Sequence, residues 1–159
     1  MSAPQESDSA RLSRNFAELL QELRVAQGGI QILFGFLLTV VFTDRYQSAG
    51  DLVHELHLTA VLLAVAATVL LTATAAWHRI LFRRRRRVAI IQAANRMALG
   101  GLVCLAGSMT ATLGLIVDVV VDGRWALVLG GIVGLAFILL WFVMPHFLMG
   151  TYDSSPRAR

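Results

Sequence analysis

Four apolar runs, each long enough to cross a lipid bilayer, constrain this chain more than any other feature of its sequence. They extend over residues 25–42, 58–77, 97–121 and 125–148. A hydrocarbon core about 30 Å thick takes about 20 apolar residues in helical form, since each residue advances the helix by about 1.5 Å. Lipid offers no partner for backbone N–H and C=O groups, so a spanning segment must satisfy them internally. The expected fold is all-α: an integral membrane bundle of four transmembrane helices. A water-soluble helical domain would need a polar face on every helix. Hydrophobic residues make up 57% of the chain and charged residues 15%, against roughly 25% charged in an average soluble domain. No acidic residue occurs between Leu56 and Val117, so the polar faces cannot be supplied.

The charges fix the expected orientation. All 14 basic residues are arginine, and 12 of them fall in three segments. Arg11, Arg14 and Arg24 precede the first run. Arg79, Arg83, Arg84, Arg85, Arg86, Arg87 and Arg96 lie between or beside the second and third, and Arg157 and Arg159 end the chain. The two remaining connections hold one each, Arg45 and Arg124. Arginine collects on the cytoplasmic side of membrane proteins. Both termini and the middle loop are therefore expected in the cytoplasm. An even number of spans agrees with that.

Around the spans, residues 1–10 and 149–159 are polar and carry Pro4 and Pro156, and they read as disordered ends. Residues 11–24 read as an amphipathic cytoplasmic helix: Leu12, Phe16, Leu19, Leu20 and Leu23 recur at helical spacing. Asn15 and Glu18 have the spacing of a capping box. This helix either lies at the interface or runs straight into the first span. No apolar region with a cleavage site opens the chain. The outward loop 43–57 holds Asp44, Asp51, His54, Glu55 and His57, and its second half suits a helix. Only Asp122, Gly123 and Arg124 join the third and fourth spans, which forces an antiparallel hairpin.

Few residues offer chemistry. Arg83, Arg84, Arg85, Arg86 and Arg87 form an uninterrupted cationic run between two spans, where each arginine near an anionic leaflet contributes about 1 kcal/mol of attraction. Anionic lipid or an acidic protein partner suits it. Nucleic acid does not, because no interleaved aromatics provide stacking platforms. Arg24, Gln27 and Gln31 are three and four residues apart and share one helix face, continued by Gly35. With Asp118, the one acidic residue inside an expected span, they are the candidates for a polar path. The plainer reading makes the glutamines interhelical glue, with Arg24 snorkelling to the interface. His54 and His57 share a helical face but lack an assured third metal ligand, so solvated loop residues are the simpler assignment. His78 and His146 suit cytoplasmic helix ends, and Cys104 reads as a small core residue.

Small residues mark expected helix contacts: Ala60, Ala64, Thr68 and Thr72 on the second span, Gly107 with Ala111 on the third, Gly130 with Gly134 on the fourth. Any of these could also build an interface with a second copy. Trp77, Trp125 and Trp141 suit interfacial anchoring. No metal, no cofactor and no enzyme chemistry is expected, since neither a nucleophile–base pair nor a phosphate-binding loop appears.

Two stretches carry a family likeness. One is Arg14-Asn15-Phe16-Ala17-Glu18-Leu19-Leu20-Gln21-Glu22-Leu23-Arg24-Val25-Ala26-Gln27, continuing through Gly29, Gln31, Ile32, Leu33, Phe34 and Phe36. The other is His78-Arg79-Ile80-Leu81-Phe82-Arg83, followed by Ala94-Asn95-Arg96. Together they resemble a group of small four-helix membrane proteins of actinobacteria classed as a domain of unknown function. The resemblance runs from about Arg14 to Trp141. It implies the four-helix fold and the membrane compartment. Some members are labelled sodium:proton antiporters, and no ion-binding residues come with that label. Two functions are thus in play: a structural or interaction protein holding anionic lipid or a partner, and a small oligomeric ion or proton transporter.

Overall fold

The structure, a computed structural model, describes residues 8–81, 87–121 and 123–145. Among them every regular element is helical. Helix α1 covers Asp8–Val40, α2 is a single turn over Asp44–Gln47, α3 covers Asp51–Leu81, α4 covers Arg87–Val120 and α5 covers Gly123–Ile138. A π-helical turn, Leu139–Val143, continues α5. Four segments are long and apolar enough to cross a membrane: Leu23–Val40, Asp51–Thr74, Ala93–Val120 and Arg124–Val143. Each overlaps one of the four expected runs with shifted bounds; the second begins seven residues earlier, at Asp51 rather than Leu58, and the third four residues earlier, at Ala93 rather than Met97.

Helix α1 is continuous from the N-terminal amphipathic segment into the first apolar run, and it starts at Asp8, ahead of Arg11. The acidic, arginine-bearing stretch and the apolar stretch are both good helix formers, and no Pro or Gly stands between them to interrupt the helix. The second half of the outward loop is helical, as α3 begins at Asp51. Before it, the Thr43 hydroxyl accepts from the Tyr46 N–H at 3.3 Å and caps α2. The π-helical turn has a local cause. Pro145 lacks an N–H, and its ring crowds the carbonyl four residues back. The preceding turn widens, so that the Met144 N–H reaches the Leu139 carbonyl.

Two compact units are present. In the first, formed by the described residues of Met1–Phe36 with Ala64–Leu105, the core is Leu23 and Ile30 of α1, Ala67 and Leu71 of α3, and Ala98 and Leu105 of α4. Ala26, Leu33 and Cys104 pack against it. Close approach of α3 and α4 depends on Gly101, where an added Cβ would lie 2.6 Å from Leu71 Cδ2.

The second unit comprises Leu37–Leu63 with the described residues of Ala106–Arg159. Here Val53 and Ala60 of α3, Ala111 and Leu115 of α4 and Ala126 of α5 are buried. Gly114 faces Leu56, while Gly130 and Gly134 lie against Thr110. Ser108 Oγ donates to the Ala60 carbonyl at 2.7 Å, tying α4 to α3.

The small-residue stripe on α3 needs a correction. Ala60 and Ala64 are buried, but Thr68 and Thr72 are exposed, and Ala67, Leu71 and Thr74 take their place. Steps of four residues advance about 40° beyond a full turn each time, so a strict i+4 stripe winds off the contact face. Alternating steps of four and three hold the face. Helix α4 shows the same alternation in Ala94, Ala98, Gly101, Leu105, Ser108, Thr112 and Leu115, all buried.

Candidate functional site

Helix α1 sets the position of the first polar group. Leu23, Ile30 and Leu37, seven residues apart, occupy its buried face. At 100° per residue, Gln27 then lies at the flank of that face, and Arg24 and Gln31 lie roughly 80–100° away from it. The structure agrees: Gln27 is half-buried, and Arg24 and Gln31 are exposed. No hydrogen bond from either glutamine amide is formed among the described residues. The shared face of Arg24, Gln27 and Gln31 thus lies beside the buried face, with Gln27 nearest to it. The leucine–isoleucine heptad takes the inner face first.

Asp118 belongs to the second unit and is half-buried near the end of α4. One residue on, the Val119 carbonyl accepts from Arg45 Nη1 at 3.3 Å. The last carbonyls of a helix lack intrahelical donors and carry the negative end of its dipole, so a guanidinium suits this end. Arg45, read from the sequence only as a charge in an outward loop, is thus a cap for α4.

The histidine pair is also more ordered than a solvated loop. The Tyr46 ring lies edge-on to His54, with centroids 4.8 Å apart, and to His57, at 5.1 Å. His54 Nδ1 lies 3.1 Å from the Gly50 carbonyl, so that nitrogen carries the proton and donates. His57 Nδ1 is buried with no hydrogen-bond partner in the structure. Among the described residues, no group of three or more His, Cys, Asp or Glu side chains could hold a metal ion. Tyr46 organises this cluster, and nothing in the sequence signalled it. A lone tyrosine beside a turn has no characteristic spacing to its partners.

Of the seven hydroxyls within the apolar segments of α3 and α4, all but that of Thr59, which is exposed, donate to a backbone carbonyl. Thr68, Thr72, Thr74, Thr110 and Thr112 donate to carbonyls four residues back at 2.6–3.2 Å. The sixth, Ser108, donates across to Ala60. These six protons are spent on backbone oxygens, which lets a hydroxyl sit within an apolar helix.

The arginine run falls largely beyond view: Arg83, Arg84, Arg85 and Arg86 lie outside the described residues, as does the side chain of Arg87, whose backbone opens α4. So do His146 and the side chains of His78 and Trp77. Trp125 and Trp141 are exposed, and Trp141 packs edge-on against Phe137 at 5.0 Å.

The model of a family of unknown function, DUF6328, matches the chain over residues 5–145. The chain belongs to that family. The DUF6328 match takes in all four apolar segments, the arginine run and the Tyr46 cluster together. No curated protein and no solved structure matches the chain.

Proposed function

We propose that this DUF6328 protein is a multi-pass protein of the bacterial inner membrane that holds anionic lipid at its cytoplasmic face through Arg83–Arg87. Support for membrane insertion comes from how little of the apolar surface the chain covers by itself. In the segment Arg124–Val143 only Ala126 and Gly130 are buried, and in Ala93–Val120 fewer than half of the residues are. Val128, Ile132, Leu135, Ile138 and Leu140 are left exposed along one continuous helical segment. A soluble monomer rarely exposes apolar patches beyond a few hundred Å². Hydrocarbon is the solvent that suits these faces.

The observation that carries the lipid assignment is the extension of α3 and α4 past their apolar segments. Helix α3 continues seven residues beyond Thr74, to Leu81, and α4 begins six residues before Ala93, at Arg87. At about 1.5 Å per residue, both helices reach roughly 10 Å beyond the hydrocarbon. That is headgroup depth, and it is where the arginine run connects them. The same arginine bias supports cytoplasmic termini.

The test replaces Arg83–Arg87 with glutamine and measures anionic lipid retained by the purified protein across a salt series. Arg79 and Arg96 stay, so orientation is kept. The wild type should retain phosphatidylglycerol with a marked salt dependence, since a Debye length of about 10 Å at 0.1 M screens such attraction. The variant should lose most of both. Unchanged retention sinks the lipid assignment and leaves an acidic protein partner as the reading to pursue.

A further inference from the structure

Gln31 is the ninth residue of the eighteen in the apolar segment Leu23–Val40. It therefore lies near mid-depth, about 12 Å along the helix from Leu23. Its side chain is exposed, and no hydrogen bond to its amide forms among the described residues. A primary amide carries two N–H donors and one carbonyl acceptor. Facing hydrocarbon, it would leave all of them unsatisfied, which native membrane proteins avoid. Glutamine is too short to reach the headgroups from mid-depth, unlike Arg24 at the second residue of the segment, whose long stem can swing to water.

The surroundings of Gln31 on α1 are shaped for a close neighbour. An added Cβ at Gly28 or Gly35 would meet no atom within 4 Å. Gly28, Gln31 and Gly35 are three and four residues apart, the alternation that keeps a seam aligned between two helices crossing left-handed at about 20°. Small residues at such a seam let backbones approach closely. The seam lies away from the face that Leu23 and Ile30 bury within the chain, so it can form without disturbing the core.

We propose that α1 is a homodimer seam in which the Gln31 amide of one copy exchanges hydrogen bonds with the Gln31 amide of a second copy, with Gly28 and Gly35 admitting the close approach. The occupant follows from the chemistry. Copies inserted by the same signal cross the membrane in the same direction, so two α1 helices meet in parallel about a two-fold axis along the membrane normal. Each residue then meets itself at its own depth. An amide is self-complementary, so the group at mid-depth that supplies both a donor and an acceptor to Gln31 is Gln31 itself. The inference rests on the membrane reading above.

The experiment uses the full chain with Ser7→Cys in a Cys104→Ala background, labelled with donor or acceptor dye and reconstituted in phosphatidylglycerol–phosphatidylcholine liposomes. Energy transfer is followed as the protein is diluted with lipid. Resistance to carbonate extraction is checked first; failure there defeats the membrane reading rather than the seam. The wild type should show dimer-type transfer. Gln31→Leu should shift the dilution midpoint by about tenfold or more, the effect of losing two interhelical hydrogen bonds. Gln31→Asn keeps an amide and should stay within about threefold of the wild type on the same scale. Gly28→Ile should weaken association without lowering the thermal unfolding temperature, because a Cβ there meets no atom within 4 Å among the described residues. A wild type without energy transfer overturns the proposal, as does a midpoint insensitive to Gln31→Leu. Insensitivity to Gly28→Ile alone overturns the close approach assigned to Gly28.

Discussion

Ser108 and Ala60 are joined by a 2.7 Å hydrogen bond from the serine hydroxyl to the alanine carbonyl, and both residues are fully buried. The bond crosses from α4 to α3, 48 residues apart in sequence. It forms because both helices present small residues at this level, which brings a short side chain within reach of the opposite backbone. Interhelical hydrogen bonds in membranes contribute about 0.6 kcal/mol on average and at most about 1.7 kcal/mol. Ser108→Ala should therefore lower stability only within that range in detergent unfolding. Ser108→Leu should cost more, about 1–3 kcal/mol, since overpacking a tight contact forces backbone shifts. Equal effects from the two variants would mean that α3 and α4 are not in close contact at this point.

A second prediction separates glycines by their surroundings. At Gly101 an added Cβ would lie 2.6 Å from Leu71 Cδ2 and 2.7 Å from Leu71 Cγ, and Leu71 is itself fully buried. The leucine has nowhere to move, so Gly101→Ala should destabilise by about 1–3 kcal/mol. At Gly131 nothing lies within 4 Å. Gly131→Ala should be neutral or stabilising by up to about 1 kcal/mol, through the lower helix cost of alanine. Thermal unfolding of the two variants in one detergent checks the order, and reversed signs would contradict the packing of α3 on α4.

The four segments were legible because a span is a matter of length and polarity alone, and both can be counted. Ends were less legible. Asp51, His54, Glu55 and His57 fall in the loop half that suited a helix, and they form the first turns of α3, but the point where that helix starts was not marked. Helix continuity there depends on Thr43, Tyr46 and the turn before Asp51, not on the apolar count. The α3 stripe failed at Thr68 and Thr72 for another reason. Small residues every four positions look like a contact face, but the face follows alternating fours and threes. The exposure of Gln31 was not legible, because Leu23, Ile30 and Leu37 claim the buried face, a competition visible only once the helix phase is known. His54 and His57 were visible as a pair by their spacing, but Tyr46, which packs against both, had no sequence signal.

The last prediction concerns ion movement. A transport reading needs polar groups with protons or lone pairs to offer along a continuous route. Gln31 points outward, and Thr68, Thr72, Thr74, Ser108, Thr110 and Thr112 each spend their proton on a carbonyl. The core of the first unit is Leu, Ile and Ala. Among the residues read as a polar path, Gln27 and Asp118 are half-buried and keep capacity, while Thr59 is exposed and His57 Nδ1 lies unpartnered near the start of α3. Purified protein in liposomes should accordingly move neither protons nor sodium faster than protein-free liposomes, at either sign of an imposed pH gradient. Asp118→Asn and Gln27→Leu should leave that baseline unchanged, and each should shift stability by no more than about 1 kcal/mol. A reproducible wild-type flux that Asp118→Asn abolishes, at unchanged thermal unfolding, would make the carboxylate a cation site. The chain would then be a transporter, with lipid at the arginine run a secondary property.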